Sequence, residues 1–542
     1  MKEKILSLIN KLLPNRNRQK AIEMEDLDVS DREAALEEIE LSSDLEENIN
    51  TIKKLYGGSF DLVVRRIKVG PKKRKGVLIY IEGLVDSRTI EEDILKPLTI
   101  NSLELSSFSE EEENIYEAAV DHFLSIKDLK REEEIKEITK NLSTGYTLIL
   151  FDGVAKAILC ETQNIEKRQI EEPEGEISLR GPRDGFVENI ETNTSILRTR
   201  LRIPHLWFES LELGKLSKTN IVLAYIKGLA DEGLVEEVKS RLEKIDIDNV
   251  LESGYLQEYI TDDPYAIFPL IMRTERPDKI VSCLVEGKVA IITNGTPFVL
   301  VVPTTYNMLL QAPDDYYEPF PIGSFIRLMR HMAFLFSLLL PGVYVAIINY
   351  HIELVPITLL LRITVSREGV PFPILVEALI METLFEILRE AGLRLPKAIG
   401  SAVSIVGALI LGEAAITAGL VSPAMVIVVA LTAISSFATP DYSLAFAARI
   451  LRFVFLFLGG TSGLFGIQFG LLLLLIHLCS LRSFGVPYFE PYGPLVWQDL
   501  KDSIVRMVLW KQEKRPKFLA EREETRQPKG QRPKPPQDKE GE

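Results

Sequence analysis

The sequence predicts a cytoplasmic α/β or α+β region of two subdomains, followed by an all-α polytopic membrane domain. At 542 residues the chain is too long for one compact core. Charged side chains are dense up to about residue 330 and sparse from there to about residue 481. The expected parts are an acidic, helical or disordered segment (1–50), two α/β subdomains (51–140 and 141–325), the membrane domain (326–485) and a cytoplasmic segment with a disordered tail (486–542).

Strand-like alternation predicts the two subdomains. The stretches SFDLVVRRIKV and GVLIYIEGLVD flank a basic turn, and YTLILFDG and AKAILCET flank an Asp-Gly turn. Further along, NIVLAYIKGLA and KVAIITNGTPFVLVVP repeat the pattern around the charged helix LVEEVKSRLEKI. The first 20 residues lack the apolar core and cleavage site of a signal peptide. We therefore expect this region to stay in the cytoplasm.

Composition and motifs exclude several classes of function. A formal net charge of −15 argues against nucleic-acid binding, which needs clustered surplus lysine and arginine. The three cysteines show no CxxC spacing and the five histidines form no HxxxH or HExxH pair, so no metal site is predicted. The sequence also lacks the P-loop, dinucleotide-binding and GxSxG patterns. We therefore expect no catalytic residue, no cofactor and no enzymatic activity.

Long apolar runs predict five or six spans in the membrane domain. A hydrocarbon core of roughly 30 Å needs about 20 apolar residues. Runs of this kind occupy residues 332–350, 398–420, 423–438 and 442–481, and GGTSG divides the last run in two. A sixth element, HIELVPITLLLRI, is short and would cross as a broken or tilted helix. If it crosses, the flanking arginine and lysine clusters all fall on the cytoplasmic side, so six crossings with both termini inside is the preferred topology.

Residues 371–392, PFPILVEALIMETLFEILREAG, predict an amphipathic helix between these runs. At about 100° per residue, Glu382, Glu386, Arg389 and Glu390 gather on one face. We expect that face to be wet, with ion pairs at i,i+3 and i,i+4 spacing.

Glu377 needs a different explanation, because it falls on the apolar face of this helix. A carboxylate on an apolar face close to a bilayer must be paired, protonated or facing water. One interpretation is a structural salt bridge with Arg362 or Arg394. The other is that Glu377 faces an aqueous pore or an ion path between subunits.

The predicted span at residues 398–420 contains small residues and one acid. The small residues allow close helix packing, and those singled out are Gly400, Ser404 and Gly407. Glu413 either snorkels to the outer surface or faces water or a partner subunit. Arg449 and Arg452 are expected to snorkel or to pair near the inner end of their span.

Four stretches carry a resemblance to a known family. They are RGPRDGFVENIETNTSILRTRLR, GKVAIITNGTPFVLVVP, residues 370–437 around VPFPILVEALIMETLFEILREAG, and SFGVPYFEPYGPLVWQDLKDSIVR. Together they resemble the A subunits of spore germination receptors, the GerA family, over roughly residues 59–510.

The resemblance implies a multi-pass protein of the spore inner membrane with cytoplasmic N- and C-terminal regions. It implies two partners: a permease-like B subunit, which binds the nutrient, and a lipoprotein C subunit. It also implies a homo-oligomer in contact with membrane lipid, expected to be a pentamer, which acts as a cation channel that nutrient opens to start germination.

Two alternatives remain at this level. The chain could be the A-like subunit of the secondary, signal-amplifying channel of the same spores. It could also be a non-conducting membrane scaffold for partner subunits.

Overall fold

The computed structural model of the chain describes residues 36, 39–70, 73–101, 113–126, 128–163, 180–394, 412–519 and 523–533, with isolated residues between 172 and 178. The chain divides into two compact units. The sheet unit comprises Met1–Thr261, Ile271–Pro303 and Trp510–Glu542, and the helical unit comprises Asp262–Leu270 and Thr304–Leu509.

The sheet unit contains two five-stranded antiparallel sheets with the same strand order. The first runs β1-β2-β4-β5-β3 and the second runs β6-β7-β9-β10-β8. The strands are β1 (Leu62–Val69), β2 (Arg74–Ile81), β3 (Leu129–Glu132), β4 (Tyr146–Phe151), β5 (Ala157–Glu161), β6 (Leu206–Leu213), β7 (Thr219–Ile226), β8 (Met272–Thr274), β9 (Val289–Thr293) and β10 (Val299–Val302). Each sheet therefore places its first, second, fourth, fifth and third strands side by side.

Helices cover these sheets, which makes the region a mixed α/β fold. The helices are α1 (Leu45–Leu55), α2 (Ser87–Thr89, continued by π-helical turns Ile90–Leu95 and Pro97–Asn101), α3 (Glu113–Ala118, continued by Ala119–Phe123), α4 (Ile135–Leu142), α5 (Ile190–Arg200), α6 (Glu232–Glu243), α7 (Ser253–Ile260) and α8 (Pro277–Val285). In the first sheet, Ile52 of α1 and Ile94 after α2 belong to cores on opposite faces. Strand β4 is buried at every position, which explains its continuous apolar run.

The predicted boundaries differ from this arrangement in two places. Helix α1 crosses the expected boundary at residue 50 and buries Leu45, Ile49 and Ile52 in the first core. The expected boundary between residues 140 and 141 falls inside the first sheet, because β4 pairs with β2 and β5 pairs with β3. The prediction places strands that are neighbours in the sequence in the same subdomain. In the structure, strands from both predicted subdomains pair to form one sheet.

A buried ion pair joins the first sheet to the segment before the second. Arg198 of α5 donates two hydrogen bonds to Asp61, at 2.8 Å and 3.1 Å. The same guanidinium donates to the Ser59 hydroxyl, and Ser59 accepts from the backbone N–H of Phe208 in β6. Both members of the pair are almost fully buried, so the charge of each side chain is compensated by the charge of the other.

The helical unit consists of short connecting helices and long apolar ones. They are α9 (Tyr306–Leu310), α10 (Asp314–Tyr317), α11 (Phe320–Tyr350), a 3₁₀ turn (Ile352–Leu354), α12 (Ile357–Arg367), α13 (Ile374–Arg394), α14 (Pro423–Phe437), α15 (Tyr442–Ser480) and α16 (Trp497–Leu500). A two-stranded ribbon, β11 (Arg482–Ser483) and β12 (Val486–Pro487), follows α15, and a 3₁₀ turn lies at Leu509–Lys511. Among the described residues, α11 and α15 are long and apolar enough to cross a membrane.

Gly463 divides α15 into two antiparallel helices. Its φ of 64° and ψ of −151° are far from helical values. A Cβ placed on Gly470 would lie 2.7 Å from Leu458 Cδ1 and 3.0 Å from Phe455 Cε1. In a straight helix Gly470 and Phe455 would be about 22 Å apart, at 1.5 Å per residue. The chain therefore folds back at Gly463, as the predicted break in GGTSG requires.

The end of α11 supports this fold-back. The Tyr350 hydroxyl donates to the carbonyl oxygens of Gly460 and Thr461, at 3.0 Å and 2.8 Å. The Leu464 N–H donates to Nε2 of His351 at 3.3 Å. These side chains satisfy backbone groups that the interrupted helix leaves open.

The other predicted spans have mixed outcomes. Helix α11 begins at Phe320, 12 positions before the predicted start at residue 332. The predicted span 423–438 forms the shorter helix α14, Pro423–Phe437. The doubtful sixth element forms the 3₁₀ turn and α12. Residues 395–411, most of another predicted span, lie outside the described residues, so the number of crossings stays a prediction.

Candidate functional site: buried charges in the helical unit

Helix α13 carries acidic side chains into the interior of the helical unit. Its buried positions are Ile374, Glu377, Ala378, Met381 and Glu382. The spacing i, i+3, i+4, i+7 and i+8 defines one helical face. The apolar members of this face join a core with residues of α11, α14 and α15. Two carboxylates therefore share the face that packs against the other helices.

Glu377 is fully buried, with hydrogen bonds at one carboxylate oxygen and an ionic contact at the other. The backbone N–H and the hydroxyl of Ser422, the N-cap residue of α14, both donate to Glu377 Oε1 at 2.6 Å. Nη2 of Arg367, the last residue of α12, lies 3.4 Å from Oε2. We call Glu377, Ser422 and Arg367 the Glu377 latch, because they join the start of α13, the start of α14 and the end of α12. Within one chain this carboxylate faces protein.

The arginines proposed as partners of Glu377 lie elsewhere. Arg362 is exposed on α12. Arg394 is also exposed and pairs with Glu390 at 2.7 Å, the i,i+4 pair expected from the sequence. Those two salt-bridge assignments for Glu377 were wrong. The helical wheel located the buried acid, but its partner Arg367 is the last residue of another helix, α12, which the wheel of α13 does not contain.

Glu382 forms a second buried ion pair. Arg452 Nη1 of α15 donates to Glu382 Oε2 at 2.5 Å, and both side chains are at most 1% exposed. The prediction that Glu382 lies on a wet face was therefore wrong. The expectation that Arg452 pairs is confirmed, and its partner lies 70 positions earlier in the chain.

Glu386 lies between three arginines. Its carboxylate oxygens are 3.8 Å from Arg449, 3.9 Å from Arg452 and 3.9 Å from Arg389. At these distances the contacts are ionic and too long for good hydrogen bonds. We call Glu382, Glu386, Arg389, Arg449 and Arg452 the arginine–glutamate cluster. With all members ionised its net charge is +1.

Aromatic rings cover part of this positive charge. The Arg449 guanidinium lies 4.9 Å from the ring centre of Phe446 and 5.3 Å from that of Tyr442. The Arg389 guanidinium lies 5.6 Å from the ring centre of Phe437 in α14. Such cation–π contacts stabilise a desolvated guanidinium. The contact between Arg389 and Phe437 also joins α14 to the cluster, whereas Tyr442 and Phe446 belong to the same helix as Arg449.

Several buried polar atoms of the cluster are not hydrogen-bonded by any described residue. They include Glu382 Oε1, Glu386 Oε1, Arg449 Nε and Nη2, and Arg452 Nε and Nη2. A buried polar atom without a partner costs about 1–3 kcal/mol. The cluster is therefore held by a few strong contacts and leaves bonding capacity for a second arrangement.

The comparisons with known proteins identify the family. A family model described as Bacillus/Clostridium GerA spore germination protein matches residues 50–518. The chain belongs to the GerA family. The resemblance seen in the sequence is thus confirmed.

Individual relatives of this GerA-family chain are similar over most of their length. It is 45% identical to spore germination protein KA of Bacillus subtilis (strain 168), over 91% of this chain and 90% of that protein. It is 42% identical to the uncharacterized membrane protein YfkQ of the same strain, over 88% and 91% of the two chains. It is 36% identical to spore germination protein GerLA of Bacillus cereus, over 91% and 99%.

One solved structure is also similar. It is the N-terminal domain of the A subunit of the Bacillus megaterium spore germinant receptor GerK3, at 32% identity. The match covers 49% of this chain and 98% of that one, with a TM-score of 0.39.

Among the remaining predicted site residues of this GerA-family chain, Glu413 joins neither the Glu377 latch nor the arginine–glutamate cluster. Glu413 is exposed in the helical residues 412–417. Gly400, Ser404 and Gly407 lie outside the described residues. In the part of the chain that the structure describes, no group of three histidine, cysteine, aspartate or glutamate side chains could hold a metal ion.

A close backbone contact between α11 and α15 was not predicted from the sequence. Gly342 of α11 and Gly459 of α15 face each other so closely that a Cβ on Gly342 would lie 2.7 Å from the Phe455 carbonyl oxygen. A Cβ on Gly459 would overlap the Gly342 carbonyl oxygen. The signal was present as a glycine in each apolar run, but only the pairing of the runs reveals its meaning.

Proposed function

We propose that this chain is the A subunit of a spore germinant receptor, an oligomeric cation channel of the spore inner membrane that nutrient binding opens. Membership of the GerA family and full-length similarity to spore germination proteins support the receptor assignment. The two apolar helices α11 and α15 support a membrane location. The proposal includes no enzymatic step.

The proposed assembly has three kinds of subunit. A permease-like B subunit binds the nutrient, a lipoprotein C subunit accompanies it, and this chain forms the homo-oligomer, proposed as a pentamer. The chain is multi-pass, and its N- and C-terminal regions are cytoplasmic. The apolar residues of α12 favour such an assembly, because Ile357, Leu361 and Val365 are 60–72% exposed in a single chain.

The observation that carries the gating mechanism is the position of Glu386. Three arginines lie within 3.9 Å of its carboxylate, and no described residue binds Oε1 by a hydrogen bond. A carboxylate in this position can change partners with little loss of Coulomb energy. Switching elements need two arrangements of similar free energy. Movement of α13 along α15 would exchange the partners of Glu386.

The two stronger contacts define the closed state of this mechanism. The Glu377 latch holds the start of α13 against α12 and α14, and the Glu382–Arg452 pair holds its middle against α15. Nutrient binding to the B subunit would shift α13, weaken the latch and widen a constriction between subunits. The exposed candidates Glu413, Arg362 and Arg394 would then face the pore or a neighbouring subunit.

Single-channel recording tests this function directly. The full-length chain is reconstituted in planar bilayers, alone and with the permease-like and lipoprotein subunits, with and without nutrient. Glu377→Gln, which weakens the latch, is compared with Glu390→Gln, which removes the charge of an exposed pair. We expect cation current with nutrient, altered gating in Glu377→Gln and unchanged gating in Glu390→Gln.

Other outcomes select the alternatives. Cation current that never depends on the permease-like subunit or nutrient would favour the amplifying channel. An assembled complex that stays silent with nutrient and all subunits present would favour a scaffold. Unchanged selectivity, gating and assembly in Glu377→Gln would remove the latch from the mechanism.

A further inference from the structure

The first turns of α11 have inverted polarity. Gly323, Arg327 and Arg330 face the interior of the helical unit, whereas the neighbouring apolar side chains face outward. The outward-facing residues are Phe320, Ile322, Phe325, Ile326, Leu328 and Met329, each at least 40% exposed. At 100° per residue, Phe325, Ile326, Leu328 and Met329 cover an arc of about 160°. A helix of a water-soluble surface shows the opposite pattern.

Buried ion pairs hold the two arginines inside. Arg330 donates two hydrogen bonds to Asp315 of α10, both at 2.9 Å, and Arg327 Nε donates to the same carboxylate at 3.0 Å. Arg327 Nη1 also donates to the backbone carbonyl and the carboxylate of Asp502, at 2.8 Å and 3.2 Å. The charges of this segment are therefore compensated within the protein.

These contacts also hold the C-terminal segment along the start of α11. Arg506 donates to the Glu318 carbonyl at 2.6 Å, and Tyr316 donates to Asp502 at 2.6 Å. Residues 502–506 thus lie beside residues 316–327. Between the two anchoring residues, Ile504 and Val505 are 41% and 47% exposed.

The length of α11 places this region at the edge of a bilayer. Its 31 residues extend about 46 Å. This length matches a bilayer with both headgroup regions, which is about 40–45 Å thick, and exceeds the hydrocarbon core of roughly 30 Å. When α11 is centred on the bilayer, its first turns therefore lie in one headgroup region. Residues 502–506, which are hydrogen-bonded beside these turns, lie at the same depth in the membrane.

We propose that residues 320–331 and 495–509 form a collar that is embedded in the headgroup–acyl boundary of the membrane. The collar residues are Phe325, Ile326, Met329, Trp497, Ile504 and Val505. Trp497 is 71% exposed, and tryptophan is enriched at membrane interfaces. The nearby Lys501 is exposed and carries the charge that suits lipid phosphate. This inference rests on the proposed membrane location of the helical unit.

Lipid explains the collar better than a second copy of the chain does. The apolar arc of α11 spans about 160°, more than the minimum of about 100° that packing on one element needs. It continues into the apolar residues of the predicted span without a change of character, as Leu335 and Phe336 are also exposed. The segment 495–509, expected from the sequence to be plain cytoplasmic chain, becomes a membrane-surface element.

Lipid quenching at labelled positions tests the collar. The full-length chain is placed in nanodiscs as Ile504→Cys with Cys479→Ser, because Cys479 is exposed whereas Cys160 and Cys283 are buried. A bimane label is quenched by spin-labelled lipids that carry the nitroxide at the headgroup or deep in the acyl chain. Leu335→Cys is the spanning control. Leu216→Cys is the soluble control, since Leu216 is an apolar residue 80% exposed in the sheet unit.

We expect at least threefold stronger headgroup quenching at position 504 than at position 216, and the strongest acyl-chain quenching at position 335. Quenching at 335 with none at 504 would overturn the collar and leave the membrane location standing. Absence of quenching at 335 would contradict the membrane location itself. An unquenched 504 that forms disulfide-linked dimers would assign the surface to a second copy and overturn the lipid assignment.

A second variant tests how the segment is held. Asp502→Asn weakens the contact with Arg327 and should lower quenching at position 504 by at least half, while quenching at 335 stays the same. If quenching at position 504 does not change, the contact between Asp502 and Arg327 does not set the depth of the segment. That part of the proposal is then overturned.

Discussion

Glu382 and Arg452 lie 2.5 Å apart with both side chains buried, although 70 positions of chain separate them. The pair fixes the middle of α13 to α15. Removing one partner of a buried pair leaves an uncompensated charge. Replacing both partners by apolar residues of similar volume leaves no buried charge.

Substitutions in this pair should change the free energy of unfolding of the helical unit. We expect Arg452→Met to destabilise the helical unit by about 3–5 kcal/mol. The double variant Glu382→Leu with Arg452→Met should recover most of that loss. Thermal unfolding of the full chain in nanodiscs measures both. Glu390→Gln, in the exposed pair with Arg394, is the control and should change stability by less than about 1 kcal/mol. A double variant no more stable than the single would contradict this account.

Glu386 should behave differently from Glu382. Because its contacts are 3.8–3.9 Å long and shared among three arginines, Glu386→Gln should change the free energy of unfolding less than Glu382→Gln does. In the proposed channel it should still alter the open probability, since the carboxylate changes partners during gating. Unfolding and single-channel recording of the two variants together check this. A Glu386→Gln channel with unchanged gating and reduced stability would show a purely structural role.

The sequence predicted the strands that carry a clear apolar pattern, such as Tyr146–Phe151 and Thr219–Ile226. It did not predict β3, β6 or β8, and of these β3 and β8 are three or four residues long and include charged side chains. These short strands exist because a neighbouring strand offers them a free edge. Their stability comes from pairing between distant segments, which a local pattern does not contain.

The same physical limit applies to the candidate site. The wheel of α13 identified Glu377 as an acid on an apolar face, and its burial agrees. The helical wheel placed Glu382 on a face exposed to water, because a wheel shows only neighbours within the same helix. The burial of Glu382 depends on Arg452, which another helix supplies, so tertiary contact determines the environment of this acid.

Two adjacent glycines of the sheet unit give a matched test of steric fit. Gly57 and Gly58 both have positive φ, 62° and 64°. A Cβ on Gly57 would overlap the ring of Trp207, whereas a Cβ on Gly58 meets nothing within 4 Å. Gly58→Ala should therefore cost only the backbone strain of about 1–2 kcal/mol. Gly57→Ala should cost at least twice as much in thermal unfolding. Equal losses would mean that Trp207 moves aside freely.

The pair Glu209 and Lys239 predicts a pH dependence. Burial alone would raise the pKa of Glu209, but hydrogen bonds from Lys239 and Tyr225 outweigh it and lower the pKa below its usual 4.5. A lowered folded-state pKa stabilises the protein above about pH 4.5, and that contribution disappears as the pH falls through the folded-state pKa. The pKa of Lys239 is raised by the same contact, so its contribution is lost only at strongly alkaline pH.

The measurement is thermal unfolding between pH 3 and pH 8 for the wild type and Glu209→Gln. We expect a stability difference of less than about 1 kcal/mol at pH 7, because both side chains are partly exposed. The difference should shrink as the pH falls below about 4.5 and through the lowered folded-state pKa of Glu209. Glu212→Gln, an exposed residue of the same strand, is the control and should show no such trend. A difference that persists unchanged at pH 3 would exclude ionisation of Glu209 as its cause.

The contact between Gly342 and Gly459 predicts how closely α11 and α15 must approach. A Cβ on Gly459 would lie against the backbone of Gly342, including its Cα at 3.3 Å, so the helices themselves must separate. At the next position, a Cβ on Gly460 would lie 2.6 Å from Leu375 Cδ1, a side-chain end that can rotate away. Gly459→Ala should therefore lower the unfolding temperature in nanodiscs clearly more than Gly460→Ala. If Gly460→Ala proved the more damaging change, the Leu375 packing, and not the backbone contact, would control the separation of these helices.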